Sequence, residues 1–193
     1  MLIACKLEEV KAPSVSDFVY VAADCYSSED ITKMEMDVCT NLKFRLQQTT
    51  PFHFIEEFLR ASLGCSNPCC RQDQRSLRFM VYYLLELSMI PFKLSHVSPR
   101  LVAAAAVYLA RATLNRKDPA HAARGCPSGL WTKTLEHYTG FAVFDLEDVV
   151  VFIHACHGAA EESRLHNAFA KYSKPKYDAI ALKTVPREED LGF

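Results

Sequence analysis

Two residues of opposite charge, Lys6 and Glu35, each lie in a segment rich in apolar residues, 29 positions apart in the sequence. A charge at the edge of an apolar helix can simply remain solvated at the end of its flexible side chain. It can also bind a charged or polar group of a partner. Pro13, the aromatic residues Phe18 and Tyr20, and residues 41–46 accompany the two charges in the sequence, so the whole ordered string has to be explained and not one charge alone.

Cysteine and histidine side chains form two further clusters that could do chemistry. One cluster comprises Cys65, Cys69 and Cys70, and the other comprises His154, Cys156 and His157. Neither has the two pairs of ligands that structural zinc sites use. With eight cysteines and seven histidines in the chain, a Cys–His nucleophile could be chosen in many ways, so it carries little weight. No glycine-rich phosphate loop is present. We expect no metal, no cofactor, no catalytic residue and no enzymatic activity.

Length and composition restrict the class of protein. The 193 residues are half hydrophobic, which suffices for one or two compact domains. The net charge of -1 gives no electrostatic reason to expect nucleic acid or an acidic membrane as the partner. The longest apolar run, residues 101–110, is about half the length of a membrane span and is followed by Arg111. The irregular cysteine spacing and the lack of a secretory leader pattern indicate reduced thiols in an intracellular protein.

The pattern before Pro51 predicts three helical segments and hardly any strand. The first is the end of a helix over residues 2–10. The second begins at Ser14, a good N-cap with an acid three residues on. The third begins at Ser28, which precedes two acids suited to a helix N-terminus. Residues 45–50 are interpreted as a linker, and Pro51 suits the first turn of the next helix.

The pattern from Pro51 to about Ala160 predicts five helices. The third, residues 99–112, is apolar nearly all round, which is typical of the central helix of a bundle. The fourth is closed by Gly140. A last helix is predicted over residues 161–172. The fold class is therefore all-α.

The two halves of the chain show a weak internal repeat. Residues 2–6 are similar to residues 107–111, since each is the apolar end of a helix that turns basic. A tandem repeat of five-helix units would show this if the first unit lacked its first two and a half helices. We therefore expect an incomplete first bundle and upstream coding sequence for the missing helices.

In this order the segments resemble the second half of one cyclin box followed by a complete second box. Residues 171–177 are similar to the tail of A- and B-type mitotic cyclins. The resemblance implies tandem cyclin-box bundles, with the end of the first box over residues 1–46, the second box over 51–173 and a tail over 174–193. It implies a protein of the nucleus, the cytoplasm or both.

The resemblance also implies a regulatory subunit that binds and activates a cyclin-dependent Ser/Thr kinase in cell-cycle control. In that family, residues matching Lys6 and Glu35 make polar contacts to the segment leading into the mobile C-helix of the kinase. Apolar residues pack against the C-helix itself, and the matching positions here are Ile3, Leu7, Cys39, Phe44 and Leu46. For Cys39 and Leu46, ordinary core packing is the alternative role.

Helical spacing supports a separation between residues that bind a partner and residues that form the core. Glu35, Cys39 and Leu42 share one stripe, which is distinct from a predicted core stripe of Met34 and Val38. Cys39 departs from the family pattern, which has a larger aliphatic residue there. The first-box helix that docks substrates and an N-terminal destruction box are also absent from this sequence, so we expect the chain as given to lack both functions.

A second class of protein also shares the cyclin fold, namely transcription factors that bind DNA and the transcription machinery. Such proteins present a basic face to the phosphates. Here the acids Glu8 and Glu9 follow Lys6 closely. The charge distribution therefore favours the kinase partner, and we expect neither nucleic acid nor a membrane to bind directly.

Overall fold

The computed structural model describes residues 1–63, 71–114 and 130–187, together with residues 189 and 191. They form two compact units, Met1–Gln48 and Thr49–Phe193. The described residues are helical or lie in turns and irregular segments, and none is in a β-strand. The all-α prediction is confirmed. Among the described helices, none is both long enough and apolar enough to cross a membrane.

The first unit contains three helices, α1 (Leu2–Glu8), α2 (Val15–Val21) and α3 (Ser28–Asn41). Only Leu2 and Cys39 are buried among its apolar side chains. Met34, predicted to lie in the core, is 63% exposed, so that prediction is wrong, and Val38 is only half-buried. The first unit therefore has a small core and several exposed apolar side chains.

Capping boxes fix the beginnings of α2 and α3. Ser14 caps α2 as predicted, since its hydroxyl accepts from the backbone N–H of Asp17. Helix α3 begins at Ser28, as predicted. Its cap is Ser27, and the acid of the capping box, Asp30, lies three residues after it.

The second unit contains six helices among its described residues. They are α4 (Phe52–Leu63), α5 (Arg71–Ser88), α6 (Pro99–Thr113), α7 (Lys133–Thr139), α8 (Val143–Gly158) and α9 (Asn167–Tyr172). Three short 3-10 helices lie at Phe92–His96, Pro175–Tyr177 and Ile180–Leu182. The predicted last helix begins six residues too early, because residues 161–166 form turns and irregular backbone.

Helix α6 is the centre of the second unit, as its apolar sequence predicts. Its residues 102–111 are all buried, and it contacts α4, α5, α7 and α8. The four alanines at 103–106 are fully buried, so neighbouring backbones can approach closely. Gly140 ends α7 in the left-handed conformation, at φ 72°, which confirms the predicted glycine cap.

Arg111 lies at the end of α6, where the sequence suggested that the helix turns polar. The structure instead buries Arg111 to 1% exposure. Its Nε donates to the carbonyl O of Leu130, and its Nη1 donates to the carbonyl O and the Oγ of Ser62, each at 2.8 Å. The guanidinium therefore ties α6 to the last turn of α4 and to the residues before α7.

The described residues after position 173 pack on the core of the second unit. We call residues 174–187 together with Leu191 the C-terminal segment. Ile180 and Leu191 are fully buried, and the hydroxyl of Tyr108 donates to the carbonyl O of Leu191. Asp178 accepts a hydrogen bond from Ser76 at 3.0 Å. The C-terminal segment is thus part of the second unit.

A fragment of residues 49–193 should fold alone and unfold in one cooperative thermal transition. Among the described residues, every buried apolar side chain except Leu2 and Cys39 lies in this unit, so a complete core stays with the fragment. Circular dichroism and calorimetry would measure the transition. The fragment 1–48 serves as the comparison and should melt without cooperativity. A helical but non-cooperative melt of residues 49–193 would contradict the prediction.

Candidate functional site

Lys6 and Glu35, which the sequence singled out, form a direct ion pair between α1 and α3. The Nζ of Lys6 donates to both carboxylate oxygens of Glu35, at 2.7 and 2.8 Å. The lysine side chain is 46% exposed and the glutamate side chain 20% exposed. An ion pair with this much solvent contact contributes about 0–1 kcal/mol to folding. Its position at the surface leaves both groups accessible to a partner.

The two helices position this pair by ordinary local interactions. Lys6 lies in the last turn of α1, where the helix dipole favours a positive charge. Glu35 lies in the middle of α3, whose first turn is fixed by the capping box of Ser27 and Asp30. The hydroxyl and backbone N–H of Ser27 donate to Asp30 and hold the pKa of that carboxyl below its usual value. The cap therefore stays intact at neutral pH.

An apolar groove of about 760 Å³ lies beside the ion pair, between α1 and α3. Ile3 of α1 and Ile31 of α3 both line it, and Glu35 lies in its wall. The remaining lining residues are Met1, Leu2, Tyr26, Asp30, Lys33, Met34, Asp37 and Val38. The groove thus combines apolar side chains with the charged residues Asp30, Lys33 and Asp37, and of the predicted binding residues only Ile3 and Glu35 line it.

The other predicted binding residues differ in accessibility. Leu7 is 43% exposed and Phe44 is 64% exposed, while Ile3 and Leu46 are half-buried. Cys39 is only 7% exposed, so any contact that it makes with a partner is confined to this small area. Cys39 instead packs within the first unit, which is the alternative role that its sequence position left open.

Phe44 follows α3 in an unusual backbone conformation. Lys43 and Phe44 have φ of 52° and 55°, the left-handed region that costs a non-glycine residue about 1–2 kcal/mol. The backbone N–H of Phe44 donates to the carbonyl O of Cys39 at 2.8 Å, which closes the end of α3. Ala23, Asp24, Asp178 and Ala179 share this left-handed conformation, so the strain at Phe44 does not by itself mark a binding role.

The cysteine and histidine clusters do not provide a metal site within the described part of the chain. His154 Nε2 donates to the carbonyl O of Pro186 at 2.6 Å, so His154 holds the C-terminal segment. Burial raises the pKa of the Cys156 thiol, which is the opposite of what a nucleophile needs. The cluster at residues 65–70 lies outside the described residues.

His157 is a buried histidine in the core of the second unit. It is 4% exposed, and its ring meets the ring of Tyr83 edge-on at 5.4 Å. Among the described residues, neither ring nitrogen of His157 and not the hydroxyl of Tyr83 has a hydrogen-bond partner. Burial, and to a smaller extent the neighbouring His154, lowers the pKa of His157 from 6.5 to about 4. His157 is therefore neutral in the folded protein at neutral pH.

Acid should destabilise the second unit through His157. Its pKa is lower in the folded than in the unfolded chain, so between about pH 6.5 and pH 4 the unfolded chain binds more protons. Stability is fully present above that window and falls by about 2–3 kcal/mol as pH decreases through it. Urea unfolding at pH 7 and pH 4.5 measures the loss, which should be smaller in His157→Phe. The exposed control His137→Phe should keep the full loss, and an unchanged pH dependence in His157→Phe would contradict the prediction.

Comparison with known proteins agrees with this architecture. Residues 1–47 match the family described as "Cyclin, N-terminal domain", and residues 49–186 match "Cyclin, C-terminal domain". The chain is 35% identical to Cyclin-B1-1 of Oryza sativa subsp. japonica over 95% of this chain and 38% of that protein. It is 34% identical to G2/mitotic-specific cyclin-2 of Antirrhinum majus over 96% of this chain and 38% of that protein.

A relative that is named as an A-type cyclin has about the same sequence identity to this chain. Cyclin-A1-1 of Arabidopsis thaliana is 34% identical over 96% of this chain and 37% of that protein. The chain thus spans less than half the length of these curated relatives. Since the two domain families cover nearly all of an all-α chain in the order N-terminal then C-terminal, the chain belongs to the cyclin family.

Proposed function

We propose that this chain is the regulatory subunit of a cyclin-dependent Ser/Thr kinase in cell-cycle control, and that it acts in the nucleus, the cytoplasm or both. The observation that carries the proposal is the exposed ion pair of Lys6 and Glu35 beside an apolar groove. Relatives named as B-type, A-type and G2/mitotic-specific cyclins support the cell-cycle role.

The ion pair can bind a partner without first breaking. A lysine ammonium has three N–H donors, and a carboxylate has about four acceptor positions. The two contacts between Lys6 and Glu35 leave at least one donor and two acceptors. These suit the backbone C=O and N–H groups of a loop that precedes a helix. The apolar surfaces of Ile3, Leu7, Phe44 and Leu46 then bind the apolar face of that helix.

Activation follows if the chain binds one conformation of the kinase better than the other. In kinases the C-helix must be positioned so that a catalytic Lys–Glu ion pair forms. A subunit that binds only the active arrangement of that helix shifts the equilibrium toward it. The shift equals the difference in binding free energy between the two conformations. The chain itself supplies no catalytic group in this mechanism.

The test is to mix the full chain with purified cyclin-dependent kinase subunits and measure both affinity and phosphorylation of a peptide substrate. The proposal expects at least one kinase to bind and to phosphorylate faster in the presence of the chain. Duplex DNA serves as the second arm, since cyclin-fold transcription factors bind it. The first unit has eight acidic and five basic side chains, which disfavours DNA. Binding to DNA without binding to any kinase would overturn the proposal.

A further inference from the structure

Two exposed methionines flank Glu35 in α3. Met34 is 63% exposed and Met36 is 58% exposed. At 3.6 residues per turn, they lie about 100° of helical rotation to either side of the glutamate. Met34 lines the groove between α1 and α3 together with Ile3 and Glu35, and Met36 lines a neighbouring surface depression of about 550 Å³. Accessible thioether groups therefore lie on both sides of the carboxylate that pairs with Lys6.

The other methionines of the chain provide internal comparisons. The sequence has five methionines. Met80 is fully buried in the second unit, whereas Met89 is 78% exposed in the same unit. Met1 is exposed at the start of α1 and lines the groove too. An oxidant dissolved in water can therefore reach the sulfur of every methionine except that of Met80.

Oxidation turns an apolar thioether into a polar group. A hydroperoxide such as hydrogen peroxide transfers one oxygen atom to the methionine sulfur, so an S–O bond forms as the O–O bond breaks. The sulfur loses two electrons, and hydrogen peroxide is reduced to water. The product, methionine sulfoxide, is polar and chiral, and methionine sulfoxide reductases convert it back to the thioether. The change is thus reversible without any change in the sequence.

We propose that Met34 and Met36 form a redox-sensitive switch of kinase binding, an inference that rests on the proposed function. In the reduced form, Met34 adds apolar surface to the groove that Ile3 and Glu35 line. In the oxidised form, sulfoxide oxygens lie on both sides of Glu35. A kinase helix with an apolar face then has to cover these oxygens without offering them hydrogen bonds, which is unfavourable. Oxidation weakens binding, and reduction restores it.

The experiment treats the full chain with hydrogen peroxide, then with dithiothreitol to reverse cysteine oxidation, and measures affinity for the kinase that the untreated chain binds. Peptide mass spectrometry should locate the added oxygen on Met34 and Met36 but not on Met80. We expect the affinity to fall about tenfold or more and methionine sulfoxide reductases to restore it. In the double variant Met34→Leu with Met36→Leu, the affinity should be the same before and after treatment, because peroxide does not oxidise leucine.

The variant Met89→Leu is the matched control, because Met89 is at least as exposed and lies in the other unit. Its affinity should fall as much on oxidation as that of the unmodified chain. The switch would be overturned if Met34 and Met36 stayed reduced while Met89 reacted, or if their oxidation left the affinity unchanged. A double leucine variant that remained sensitive to peroxide would also overturn it.

Two further readouts separate the switch from other causes of lost binding. A loss of helical circular dichroism on oxidation would overturn the switch, since unfolding would then explain the lost affinity. A chain that binds no kinase before treatment overturns the proposed function itself, and the switch with it. A chain that binds equally well in both states overturns the switch alone.

Discussion

Exchanging the charges of Lys6 and Glu35 should abolish most kinase binding while preserving the ion pair between α1 and α3. The double variant Lys6→Glu with Glu35→Lys can form the same contact in reverse. It presents a carboxylate where the partner needs a donor and an ammonium where it needs an acceptor. Truncating one member of a desolvated interfacial contact costs about 2–5 kcal/mol, which weakens binding by a factor of about 30 or more. We expect each single variant, Lys6→Ala and Glu35→Ala, to lose at least that much affinity.

The folding stability of the same variants distinguishes a role in kinase recognition from a purely structural role. The pair is exposed to solvent, so neither single variant should lose more than about 1 kcal/mol of folding free energy. The ion pair of Arg78 and Glu56 is the matched control, because it also joins two helices, at 3.0 Å, and is about half exposed. Reversing its charges should leave kinase binding unchanged. If the reversed Lys6 and Glu35 variant bound normally, or if either single variant unfolded, the assignment would be wrong.

Replacing Arg111 by methionine should destabilise the fold far more than removing either member of the exposed Lys6–Glu35 pair. The substitution keeps much of the apolar volume but leaves the carbonyls of Ser62 and Leu130 without the guanidinium donor. Each buried acceptor that loses its donor costs about 1–3 kcal/mol, so we expect the substitution to cost about 2–5 kcal/mol. Since domains are stable by about 5–15 kcal/mol, a large part of the margin would be lost.

Urea unfolding of Arg111→Met and Arg111→Lys measures this effect. Lysine keeps the charge but cannot bridge the same carbonyls with a rigid planar group, so we expect it to be nearly as destabilising. Arg60→Met is the control, because Arg60 lies on the exposed face of α4. It should change stability by less than about 0.5 kcal/mol. A loss below about 1 kcal/mol for Arg111→Met would contradict the role assigned to the guanidinium.

Lys6 and Arg111 show how far the sequence pattern reaches and where it stops. Each of these basic residues follows an apolar stretch of the sequence. The pattern predicts a helix in each case, and the structure confirms both helices. The pattern does not show which of the two basic side chains is exposed. Lys6 is about half exposed in a unit with few neighbours, whereas Arg111 is buried because α4 and the residues before α7 surround it. Burial depends on these distant elements and not on the local sequence.

The same limit explains the other differences. Periodicity places Met34 and Cys39 on separate stripes of α3, but it cannot tell which stripe meets another helix, and the structure buries Cys39 and exposes Met34. Capping rules predicted the ends of helices correctly where the capping residue is characteristic, as at Ser14 and Gly140. The beginning of α9 was missed because no cap residue marks it, since His166 makes no side-chain cap.

The C-terminal segment has a consequence for the order of events in folding. Its contacts join residues that are far apart in sequence, with 83 positions between Tyr108 and Leu191 and 102 between Ser76 and Asp178. Closing such long loops costs chain entropy before the contacts compensate for it. The helices around α6 are closer to one another in the sequence and can associate first. We therefore expect Leu191 to enter the core after those helices have associated, and its contacts to slow unfolding more than they speed folding.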